Sequence, residues 1–119
     1  MSEFSRSDRL SAQIIRELSG YLINFPAVPS GVIITITDVE LSKDLRYGKI
    51  YYSVLGGQDA VERTEEFFRE NHKQLRMELA HKIRIKFMPE LRFIYDKSIE
   101  RGQRISELLD RIKKDDDDN

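Results

Sequence analysis

Seven of the eight residues from Val32 to Val39 are branched at Cβ, and Asp38 is the exception. Such side chains restrict their own χ1 torsion and fit a pleated surface better than a helix. No other stretch of the chain limits its fold as tightly. Gly31 to Leu41 is therefore predicted to be a strand. Ser42-Lys43-Asp44 has turn chemistry, and Tyr47 to Leu55 alternates with Ile50, Tyr52 and Val54 on one face. Two such segments joined by a short polar turn predict an antiparallel hairpin, which Gly56-Gly57 closes.

A hairpin alone cannot bury its apolar face, so helices must cover it. Upstream, Leu10, Ile14, Leu18, Tyr21, Leu22 and Phe25 recur at spacings of three and four. They predict a helix over residues 7–25, with Ser7 as N-cap and Pro26 as terminator. Downstream, Val61, Phe68, Leu75, Leu79 and Ile83 keep helical phase over residues 59–86, with an Asp59/Glu62 capping pair at the start. Asn71, followed by Gln74, is a second cap-like pair. It suggests two helices broken near Asn71, although the apolar phase runs through unshifted and also permits one helix. After Pro89, Leu91, Phe93 and Tyr95 alternate as a third strand. Ile105, Leu108, Leu109 and Ile112 mark a final helix from about Ser98 to Lys113. The reading is an α+β domain, helix-strand-strand-helix-helix-strand plus a C-terminal helix, with helices packed on one face of a three-stranded sheet.

At 119 residues the chain suits one domain. That domain is expected to span residues 5–112, with residues 113–119 an acidic, disordered tail. The net charge of −1 conceals the distribution. Removing the four acids Asp115 to Asp118 leaves +3 on the remainder. Within the long helical stretch, residues 59–70 carry −3 and residues 72–88 carry +4. Cysteine is absent, which excludes disulfides and thiolate chemistry. Met1 to Leu10 is polar, unlike a secretion signal, and the aliphatic run Val32–Ile36 is too short to span a bilayer. A cytoplasmic protein without membrane contact is expected.

The residues offer little for catalysis. Glu62, Glu65 and Glu66 fit a solvated helix face better than a paired acid and base. His72 and His81 lie nine residues apart, not at the four-residue spacing that puts two metal ligands on one helix face. Nucleotide-binding and nucleophile-elbow glycine motifs are missing. Phe67, Phe68, Phe87 and Phe93 read as core by spacing, whereas Tyr47 and Tyr51 have room to be exposed. The basic segment Lys73–Lys86 is the strongest positive signal, because lysine and arginine neutralise phosphates. A basic helix face is also common with no ligand at all.

Several blocks resemble bacterial ribosome-binding factor A, over about residues 6–112. They are Thr35-Ile36-Thr37-Asp38-Val39-Glu40-Leu41-Ser42-Lys43-Asp44-Leu45, then Gly48-Lys49-Ile50-Tyr51-Tyr52-Ser53, then Leu75-Arg76 and Met88-Pro89-Glu90-Leu91-Arg92-Phe93. Asp96-Lys97-Ser98-Ile99, Gly102, Arg104-Ile105 and Leu108-Leu109 follow in the same order. The resemblance implies a type II KH-like domain. It also implies binding to immature 30S subunits, assistance to late maturation and 5′-end processing of 16S rRNA, importance in the cold, and no enzymatic activity. The chain departs from the family pattern twice. Asn71-His72-Lys73 stands where the family has Ala-any-Gly, and Phe25-Pro26-Ala27-Val28-Pro29 stands near the family's Asp-Pro-Arg.

The expected RNA-binding residues are Asn71, His72, Lys73, Arg76, Lys82, Arg84 and Lys86, extended by Lys43, Arg46 and Lys49 on the hairpin and by Arg6 and Arg9. The expected partners are the 30S subunit and 16S rRNA, with the protein a monomer needing no metal, cofactor or small-molecule substrate. Two other readings compete: a stand-alone KH-type module for single-stranded RNA, and a protein–protein adaptor using the C-terminal helix.

Overall fold

The computed structural model describes residues 5–97. The helix expected from Ser98 and the acidic segment at the C-terminus lie outside that range. The elements run α1 (Arg6–Ile23), β1 (Ile33–Leu41), β2 (Tyr47–Leu55), α2 (Ala60–Ile83) and β3 (Glu90–Tyr95). The sheet order is β1-β2-β3, with β1 antiparallel and β3 parallel to β2.

The cap of helix α1, Ser5, lies two residues before the expected one. Ser5 Oγ accepts from the Asp8 backbone N–H and Asp8 Oδ2 accepts from the Ser5 backbone N–H, both at 3.1 Å. Ser7 has Leu10 three residues on and cannot close such a reciprocal pair. The helix stops at Ile23, short of Phe25, because a residue before proline is pushed out of helical geometry. Phe25 still packs inward, against Tyr21 at 5.0 Å and Phe67 at 5.7 Å between ring centroids.

Strand β1 holds an irregularity that periodicity did not reveal. Its register against β2 shifts between Ile36, opposite Tyr52, and Asp38, opposite Tyr51, leaving Thr37 as the extra residue of a bulge. Strict alternation would place Ile36 and Asp38 on one face. The bulge instead turns Ile36 and Val39, three apart, into the core and keeps Asp38 off it. Thr37 Oγ1 donates to Asp96 Oδ2 at 3.0 Å, tying the bulge to the end of β3.

Helix α2 is one continuous 24-residue helix, so the break expected at Asn71 is not there. Asn71 does not cap a new helix. Its side-chain amide donates to the Phe67 carbonyl at 2.8 Å, one turn back. It sits half-buried on the inward stripe that runs from Thr64 through Phe67 and Phe68 to Leu75 and Leu79. An unshifted apolar stripe over two turns either side outweighs the weak helix propensity of one asparagine. Asp59 is not a side-chain cap either. Its Oδ1 pairs with Arg63 Nε at 3.2 Å. The C-terminus comes at Ile83, earlier than expected, because Arg84 turns left-handed at φ 58° and ψ 42°.

Both helices cover the same sheet face. Leu10, Ile14, Leu18 and Leu22 of α1 join Ile36, Val39, Ile50 and Tyr52 of the sheet and Phe67, Phe68, Leu75 and Leu79 of α2 in one core. Phe68 centres the α2 side, stacked on Phe93 at 4.3 Å and 9° and tilted against Tyr52 at 4.6 Å.

Two measurements check this account. Asn71→Ala should hold stability or raise it by about 0.5 kcal/mol in urea unfolding, because alanine is the better interior residue; loss of a true N-cap would instead cost about 1 kcal/mol. Burial, with smaller contributions from Glu65 and Tyr95, pushes the Tyr52 phenol up to about 12. Because the folded value is raised above the ordinary value of about 10, this contribution is complete below pH 10 and is lost as pH climbs toward 12. Tyr52→Phe should therefore flatten the decline in stability between about pH 10 and 12.

Candidate nucleic-acid interface

The loop between α2 and β3 organises the basic residues. Ile85 packs against the core, and Met88 and Pro89 are buried. Arg76, reaching from α2, fixes the loop. Its Nε donates to the Pro89 carbonyl at 3.0 Å and its Nη2 to the Met88 carbonyl at 2.7 Å. On the far side, the Glu90 N–H donates to the Arg46 carbonyl at 2.8 Å and starts the pairing of β3 with β2. With Ile85 and Met88 turned inward, Phe87 is left 78% exposed, contrary to the core role expected for it.

Beside this loop lies a groove of about 970 Å³. Helix α2 contributes His72, Lys73, Arg76, Met77 and Ala80, which share a face by helical spacing. The loop adds Lys86, Phe87 and Met88. The strands add Tyr47, Gly48 and Lys49, and Glu90, Leu91 and Arg92. Lys49 and Arg92 are register neighbours across β2 and β3. Five lysines and arginines line the groove, and Glu90 is its one carboxylate. A second hollow of about 580 Å³ adjoins it, lined by Arg6, Asp44, Leu45, Arg46 and Ile85, and sharing Lys86, Phe87 and Met88.

Of the twelve residues expected to touch RNA, the structure thus gathers Lys49, His72, Lys73, Arg76 and Lys86 in one groove and Arg6 and Arg46 in the hollow next to it. Asn71 and Lys82 lie elsewhere, in a separate hollow of about 570 Å³ against α1, with Lys82 Nζ 5.3 Å from the Tyr21 ring centroid. Lys73 and Lys82 are nine residues apart, and nine steps of about 100° place them on opposite sides of the helix. Arg84 is the left-handed cap of α2, and its backbone N–H donates to the Ala80 carbonyl. Arg9 and Lys43 are exposed and line neither hollow.

Sequence reasoning missed three features. Arg92 faces the groove because its neighbours Leu91 and Phe93 pack inward, a signal present in the alternation of β3. Phe87 and Met77, the latter 57% exposed, are apolar residues where core would be assumed. Arg76 looks like any basic surface residue, yet its guanidinium is held by two backbone carbonyls. His72 is also tied back, its Nδ1–H donating to the Arg69 carbonyl at 2.8 Å. Among the described residues, no group of three His, Asp or Glu side chains is arranged to hold a metal ion. No helix among them is long and apolar enough to cross a membrane.

Known proteins share this architecture. The sequence profile of the family described as ribosome-binding factor A matches residues 6–109. The ribosome-binding factor A of Nitrosomonas europaea is 40% identical over 108 residues, covering 91% of this chain and 92% of that protein. The crystal structure of ribosome-binding factor A from Thermus thermophilus superposes with a TM-score of 0.59 at 22% identity, over 77% of this chain and 97% of that one. Coordinates of the Thermus thermophilus factor fitted into a cryo-EM map of a 30S complex give a TM-score of 0.58 at 23% identity, covering 75% and 93% of the two chains. The two structural likenesses bear on the fold, which they share with this chain.

The clamp predicts a cost that a free surface arginine would not have. Arg76→Ala should lower stability by about 1–2 kcal/mol in denaturant unfolding, because it strips two part-buried carbonyls of a charged donor. Arg76→Lys, lacking the planar fork, should recover only part of that loss.

Proposed function

This chain belongs to the ribosome-binding factor A family, and from that premise we propose that it binds the small ribosomal subunit by laying its basic groove along 16S rRNA. The observation that carries the proposal is the segregation of charge. A chain of net charge −1 gathers five cations and one carboxylate in a single groove. Cations so arranged neutralise successive phosphates and release condensed counterions, which gives affinity with a steep salt dependence.

In this reading the domain of residues 5–112 acts as a monomer in the cytoplasm, on immature 30S particles. It assists late maturation and 5′-end processing of the RNA without catalysing a step itself, and it matters most in the cold. Lys49, Lys73, Lys86 and Arg92 meet phosphates directly. Arg6 and Arg46 extend the track, and Arg9 and Lys43 contribute longer-range attraction from its margin. Arg76 serves chiefly by holding the loop that presents Lys86, and His72 lines the groove wall. Lys82, Asn71 and Arg84 belong to other surfaces. Binding to the 30S subunit, the association made by the Thermus thermophilus relative, is the reading the family supports.

Sedimentation with immature 30S, mature 30S and an unrelated structured RNA at several salt concentrations tests this. The wild-type protein should select the immature subunit. The triple variant Lys49→Glu, Lys73→Glu and Lys86→Glu should lose at least about tenfold in affinity near 0.1 M salt, and its log-affinity against log-salt slope should flatten by about 2 to 3. Its stability should change by less than about 1 kcal/mol, since all three are exposed. Equal binding to every RNA would favour the stand-alone RNA module. Binding indifferent to both salt and the triple variant would favour a protein adaptor and overturn the groove.

A further inference from the structure

We propose that Phe87 is a stacking platform for an unpaired RNA base. The proposal rests on the RNA-binding reading of the groove and names one contact within it. A phenylalanine 78% exposed leaves most of its apolar surface in water, which is unfavourable unless a partner covers it. The backbone that carries the ring is nevertheless anchored on both sides. On one side the left-handed turn at Arg84 ends the helix. On the other, Met88 is buried and its carbonyl is gripped by Arg76. An aromatic ring presented by a restrained loop loses little further freedom on binding, which suits it to recognition.

Its surroundings identify the partner chemistry. Lys86 Nζ lies 5.5 Å from the ring centroid, and Lys86, Phe87 and Met88 line both the main groove and the hollow that holds Arg6 and Arg46. A phosphate chain passing from one to the other crosses the ring. An apolar protein surface would have to bury the flanking cations unpaired, whereas a polynucleotide supplies a phosphate for each cation and a flat base for the ring. Base–aromatic stacking is worth about fivefold to a hundredfold in affinity per base. It needs a base whose face is free, as in a single strand or loop, because duplex bases already cover one another. The platform thus adds a preference for unpaired RNA to a groove whose cations bind any phosphate backbone.

The test uses the full chain and two RNA probes of equal length, a single strand carrying 2-aminopurine and a duplex hairpin, in equilibrium titrations. The wild-type protein should bind the single strand more tightly and quench 2-aminopurine fluorescence on binding. Phe87→Leu, which keeps an apolar side chain but no ring face, should lose about tenfold for the single strand and little for the duplex, and should abolish the quenching. Phe87→Trp should preserve both affinity and quenching. Wild-type behaviour of Phe87→Leu towards the single strand, with the triple lysine variant still defective, would overturn the platform and leave the RNA reading intact. Equal losses in Phe87→Leu and Phe87→Trp would also overturn it. Failure of the wild-type protein to bind either RNA would remove the RNA reading, and the platform with it.

Discussion

Strand β3 lies parallel to β2, so the chain between them must travel back along the sheet before β3 can begin. Helix α2 makes that return. Its 24 residues span about 36 Å, a little more than a nine-residue strand of about 30 Å. Continuity matters here, since a break at Asn71 would shorten the reach and redirect the second half. The stack of Phe68 on Phe93 and its contact with Tyr52 lock the helix to both parallel strands. The basic second half of α2 then arrives where the hairpin turn, the loop after Ile83 and the start of β3 converge. The groove follows from that crossover.

The hairpin and the helical stripes were legible in the sequence because burial imposes a period on them. Leu10, Ile14, Leu18 and Leu22 announce the inner face of α1, and Ile50 and Tyr52 that of β2. What escaped were places where a period is interrupted or a side chain does a job foreign to its type. In β1 the dense run of branched residues hides the bulge at Thr37, since either face of the strand offers apolar side chains to bury. At Asn71 a local capping signal competed with a stripe extending over the whole helix, and the longer signal prevailed. Caps at Ser5 and Ser7 differ only in what stands three residues later, a distinction that pattern alone weighs poorly.

The candidate interface was legible by composition but not by geometry. The excess of lysine and arginine in residues 72–88 marked the correct region. It could not separate Lys73 from Lys82, which the helix carries to opposite sides, nor Arg76 from its neighbours, although Arg76 spends its donors on backbone carbonyls. Arg92 came from a distant strand, brought beside Lys49 only by the parallel pairing. Phe87 needed knowledge that Ile85 and Met88 are anchored inward. Electrostatic character is thus written in local sequence, while the shape that makes it a groove is a property of the tertiary crossover.

The three-strand order also places β1 and β3 at the two edges of the sheet among the described residues. Such an edge is a template on which another chain can add a strand. Here β1 carries its bulge, which bends and twists the strand away from a flat partner. β3 is only six residues long and presents Glu90 and Arg92 along its exposed side. The bulge that keeps Asp38 out of the core therefore has a second consequence. It makes a strand dense in β-branched residues a poorer template for the sheet of the next molecule.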